Sequence, residues 1–69
     1  MELRFTIELD READGRFIAE CRELPGALAY GDSEAAAIAK VKALALQILA
    51  DEIEAGERDL ATLAFDIAA

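Results

Sequence analysis

The segment Glu34 to Ala55 holds neither glycine nor proline and is rich in alanine, leucine and lysine, which is the composition of one long helix. In a chain of 69 residues such a helix takes about a third of the length. What remains can build only a small sheet beside it, and the whole is too short for a second core. Asp32 or Ser33 stands where an N-cap belongs. Gly56 stands just past the last helical residue, and Glu57-Arg58-Asp59 makes a polar link. On a 100° wheel Ile38, Val41, Leu44, Ala45, Ile48, Leu49 and Ile53 gather on one side, opposite Lys40, Gln47, Asp51 and Glu54, so the apolar face is broad.

Both flanks carry the period of strands. Leu3, Phe5, Ile7 and Leu9 alternate with Glu2, Arg4, Thr6 and Glu8; Phe17, Ala19 and Cys21 alternate after the turn dipeptide Asp14-Gly15; Leu63, Phe65 and Ile67 alternate near the end. The first two runs predict an antiparallel hairpin. Leu24-Pro25-Gly26-Ala27 predicts a type II turn, with Leu28 to Gly31 a short edge strand after it. The periodicity leaves open whether Ala29 or the pair Leu28 and Tyr30 faces the core. The order is βββαβ, and a helix between the third and fourth strands can return the chain parallel to an existing strand. The predicted fold is a two-layer α+β domain over residues 1–69, one helix on a four-stranded mixed sheet.

A chain this small usually needs a disulfide, a metal or a partner. One cysteine, Cys21, and no histidine remove the internal disulfide and the usual zinc ligand sets, which leaves a partner chain. Fifteen acids against seven bases give a net charge of -8, which repels phosphate backbones and suits a basic macromolecule. Hydrophobic residues make up 55%, sixteen of them alanine, a globular composition. No apolar run is long enough to span a bilayer. Met1-Glu2-Leu3-Arg4-Phe5 lacks the apolar core of a signal peptide, so a cytoplasmic setting with a reduced thiol is expected.

No catalytic or cofactor apparatus is read in the chain. Asp10, Glu12, Asp14 and Gly15 open like a calcium loop, but Cys21 stands where the closing glutamate belongs, so the segment reads as a solvated hairpin. Glu8, Asp10 and Glu20 resemble the carboxylate sets of metal-dependent nucleases by spacing alone, and that reading ranks a distant third. Cys21 has no histidine to activate it and reads as a small core residue.

Asp14-Gly15-Arg16-Phe17-Ile18-Ala19, then Glu23-Leu24-Pro25-Gly26, then Gly31-Asp32-Ser33 leading into Glu34-Ala35-Ala36-Ala37 resemble, in order and spacing, the HicB-like antitoxin family. They match its aromatic second strand, its E-L-P-G turn and its G-D-[ST] helix start, and the likeness covers residues 1 to about 57. The resemblance implies a partial ribonuclease H-like βββαβ fold without that enzyme's active site. It also implies an antitoxin role: binding and masking a small basic, HicA-like toxin that degrades messenger RNA. Family members that repress their own operon carry a DNA-binding segment after the last strand. The present sequence stops at Ala69, so direct nucleic-acid binding by this chain is not expected. Ala36 stands where the glutamate or glutamine of a capping box would follow Ser33. The second hypothesis is an orphan oligomeric binding module of the same fold.

Charge complementarity nominates Asp10, Glu12, Asp14, Glu20 and Glu23 as toxin contacts, together with Asp51, Glu52 and Glu54 at the helix end. A homodimer or higher oligomer is expected as well. The helix is ~33 Å long against ~26 Å for an eight-residue strand, so it should overhang the sheet. Ala39, Leu46, Leu49 and Ile53 on the helix and Tyr30 on the edge strand are the self-association candidates.

Overall fold

In the computed structural model, which describes residues 2–59 and 62–68 and all their side chains but that of Glu2, the chain runs β1 (Glu2–Arg11), β2 (Phe17–Cys21), β3 (Leu28–Gly31), α1 (Glu34–Glu54) and β4 (Thr62–Ala68). The four strands form one mixed sheet in the order β3-β2-β1-β4. The β1/β2 and β2/β3 ladders are antiparallel and β1/β4 is parallel. This is the two-layer α+β arrangement expected from the order of elements.

Alternation carries β1 two residues further than its apolar pattern alone, because Asp10 and Arg11 pair with Ile18 and Phe17. The hairpin then closes in a three-residue loop: the Gly15 amide donates to the Glu12 carbonyl at 2.9 Å, and the Glu12 amide to the Arg16 carbonyl at 2.7 Å. At the second turn the Ala27 amide donates to the Leu24 carbonyl at 3.0 Å. Gly26 has φ +90°, the left-handed value that a type II turn demands at its third position. This turn is part of the core, with Leu24 and Ala27 at 2% and 1% exposure.

Of the two candidate caps it is Ser33 that starts α1, its hydroxyl accepting from the Ala36 amide at 3.1 Å. At the far end the Gly56 amide donates to the Ile53 carbonyl (3.1 Å) and the Glu57 amide to that of Glu52 (2.9 Å), the bond pair that closes a helix on a left-handed glycine.

The core joins Phe5 and Ile7 of β1, Ala19 and Cys21 of β2, Leu24 and Ala27 of the turn, and Ala37, Val41, Ala45 and Leu49 of α1. The helix therefore buries a stripe stepping by four residues, narrower than the wheel suggested. Ile38, Leu44 and Ile48 are half-buried and Ile53 is exposed. Leu49, expected on a self-association surface, points into the core instead. The small residues set the spacing. A Cβ on Gly31 would stand 2.5 Å from the Ala37 amide nitrogen, so α1 rests on β3 at a distance only glycine permits.

β1 has ten residues and spans ~33 Å, against ~31 Å for the 21 residues of α1, so the helix is no longer than the longest strand, while β2 and β3, on which it packs, have five and four residues. Ala29 turns toward the helix, while Leu28 and Tyr30 turn away and are each 39% exposed. The helix lies over β3 and β2. Long side chains close over β1 and β4: Arg58 sits 5.9 Å above the Phe5 ring and Lys42 5.8 Å above that of Phe65. β4 forms the sheet edge away from the helix axis. Among the described residues no helix is long and apolar enough to cross a membrane.

Candidate functional site

Because α1 covers one face of the sheet, the side chains of opposite parity share an uncovered face. Arg4, Thr6, Glu8 and Asp10 come from β1, Ile18 and Glu20 from β2, Leu28 and Tyr30 from β3, and Ala64 and Asp66 from β4. Register arranges them in rows. Tyr30, Ile18 and Asp10 lie side by side, then Leu28, Glu20 and Glu8, while Thr6 neighbours Asp66 and Arg4 neighbours Ala64. The apolar members thus sit on the β3 side, the carboxylates in the middle and one ion pair on the β4 side.

Glu8, Asp10, Glu12, Ile18 and Glu20 line an open groove of about 320 Å³. Glu8 and Glu20 are direct partners across β1 and β2, and like charges so placed destabilise a sheet. Arg22 reaches Glu8 at 3.5 Å with both groups well exposed, a weak compensation. Among the described residues no cation stands within ion-pair distance of Glu12 or Glu20. The isolated fold gains nothing from this crowding.

The other nominated acids are engaged locally. The Asp14 carboxylate accepts from the Arg16 amide (3.0 Å) and from its guanidinium (2.8 Å), and these bonds hold its carboxyl below the usual range. Arg16 in turn stacks 4.6 Å above the Tyr30 ring. Glu23 accepts the Thr6 amide at 2.8 Å, which lowers its pKa, beside the Arg22 amide donating to the Thr6 carbonyl at 3.1 Å. Its carboxylate continues the β1 ladder past the end of β2. Glu52 bonds Arg58 at 2.6 Å, while Asp51 and Glu54 are exposed on the last turn of α1.

The two acidic sets therefore do not meet. The helix starts beside Leu9, Asp10 and Phe17, near the hairpin, and runs back toward the start of β1, so Asp51, Glu52 and Glu54 lie in the other layer and at the other end of a molecule 40 Å long. The self-association candidates separate too. Tyr30 is on the uncovered sheet face, while Leu46 (49% exposed), Ile53 (43%) and Ala39 are on the outer side of the helix layer.

Cys21 is 1% exposed, and burial pushes its thiol up, away from the thiolate a nucleophile needs. Among the described residues no three metal-binding side chains converge. No family model, no curated protein and no solved structure matches the chain. The geometry itself thus remains the guide to what the groove does. Ile18, Leu28 and the Arg4–Asp66 pair are members of this face that charge counting missed. Their strand parity was the available signal, and it becomes readable only once the register is known.

Proposed function

We propose that the chain is an antitoxin-type binding module, which takes a small basic, HicA-like messenger-RNA-degrading toxin onto its uncovered sheet face and masks it in the cytoplasm. The observation that carries this reading is the groove. Glu8 and Glu20 are set against each other across a ladder at a cost to the fold, with Asp10 and Glu12 beside them. A lysine- or arginine-bearing partner would relieve that repulsion and speed encounter through the overall charge of -8. Tyr30, Ile18 and Leu28 along one side offer the apolar ground that interface centres use. The order βββαβ agrees with the partial ribonuclease H-like fold implied by the resemblance. A toxin-free oligomeric module is the alternative, favoured by the open β4 edge.

The test is to sequence the neighbouring reading frames, express any small basic protein they encode, and follow messenger-RNA cleavage with and without this chain. Cleavage should stop on mixing, and Glu8→Lys with Glu20→Lys should weaken binding by roughly tenfold or more, mostly through slower association at low salt. Full neutralisation by the double variant would remove the groove from the interface. A neighbouring protein that never binds would favour the orphan module.

A further inference from the structure

The two edges of the sheet are built differently. β3 is four residues long and opens from the Pro25-Gly26 turn, features that keep an edge from recruiting another strand. β4 runs for seven residues without proline, glycine or lysine. Its helix-side residues are Leu63, Phe65 and Ile67, in register with Leu3, Phe5 and Ile7. They are covered from above in part, Lys42 lying over Phe65, and open along the edge, where Ile67 is 46% exposed. In a chain of net charge -8, β4 has one charged side chain, Asp66, and that is bonded by Arg4 through Nε (3.2 Å) and Nη2 (3.0 Å). Two copies can therefore meet along β4 with its one charge already paired within each chain.

We propose that β4 pairs antiparallel with β4 of a second copy about a two-fold axis at Phe65, joining the two sheets into one of eight strands. Parity and charge select this register. Residues opposite each other on paired strands share a face, so an axis at Phe65 sets Leu63 against the second copy's Ile67 and the two Phe65 rings together, apolar on apolar throughout. On the uncovered face it sets Ala64 against the second copy's Asp66. Arg4 neighbours Ala64 across the β1/β4 ladder, and alanine leaves its guanidinium a clear path. The planar fork that already holds Asp66 of its own chain then faces the second copy's Asp66, giving a four-charge network that is neutral and isologous. An axis one residue further on, at Asp66, would instead oppose two aspartates directly and is disfavoured. This contact is independent of any toxin.

Light scattering of the full chain at tens of micromolar should give a mass near twice 7.4 kDa. Ile67→Lys, at an exposed position, should return it to 7.4 kDa with an unchanged circular-dichroism spectrum, whereas Leu46→Glu and Tyr30→Lys should leave the dimer intact. For the register, Ala64→Cys mixed with Asp66→Cys should cross-link on oxidation while neither variant cross-links alone. A monomeric wild type, a dimer that survives Ile67→Lys, a dimer lost through Leu46→Glu or Tyr30→Lys, or Ala64→Cys joining to itself would each overturn the proposal.

Discussion

Glu23 shows how one side chain replaces a missing piece of sheet. β2 ends at Cys21 so that the chain can turn at Leu24-Pro25-Gly26-Ala27, and the Thr6 amide would lose its partner there. The Glu23 carboxylate takes it at 2.8 Å, and that bond is why its pKa lies below the ordinary 4.5. A carboxyl with a lowered folded-state pKa contributes stability that is complete above its unfolded value and is lost as pH falls through the folded one. Glu23→Gln keeps an acceptor without the charge. Urea unfolding should show a loss below about 1 kcal/mol at pH 7, because the group is solvent-exposed. It should also show a shallower decline than wild type as the pH is lowered below 4.5. An unchanged acid limb would mean the bond does not persist in solution.

At the scale of elements, the contact of α1 with β3 depends on Gly31. Its substitution by alanine would force a Cβ against backbone atoms of Ala36 and Ala37, not against a side chain that could swing away. Gly31→Ala is expected to cost about 1–3 kcal/mol and to lower the melting temperature by roughly 4–8 °C per kcal/mol, readable by thermal circular dichroism. This contact also illustrates what could be read beforehand. Strong alternation made β1 and β4 legible, and Pro25-Gly26 and Ser33 marked their turn and cap because each answers a local stereochemical demand. The buried stripe of α1 was less legible. Ala37 and Ala45 carry it as much as Val41 and Leu49 do, yet alanine is equally common on a solvated helix face. Its placement follows from Gly31, Ala19 and Ala29 lying opposite, which is tertiary information. The length of β1 was underestimated for a related reason: the polar residues Asp10 and Arg11 belong to it through their partners on β2, not through their own pattern.

For the molecule as a whole, the sign of the charge was evident from composition but its geography was not. The hairpin acids and the helix-end acids are separated by the run of α1 back along a 40 Å body, and of the nominated acids only Asp10, Glu12 and Glu20 share a groove with Ile18. Whole-molecule order also has a history in time. Phe5 and Phe65 are neighbours in the β1/β4 ladder with ring centroids 6.1 Å apart, although nearly the full chain separates them, and pairings of such separation form late. A ribosome makes β1 first and β4 last of the five elements. Throughout synthesis of β2, β3 and α1, one flank of β1, with Leu3, Phe5 and Ile7, has no strand beside it and is open to adhesion by other nascent chains. Chains halted after Gly56 should therefore be more readily cleaved by protease than chains carried through Ala68, and should recruit holding chaperones. Equal resistance of the two would show that β1, β2, β3 and α1 already close the core by themselves.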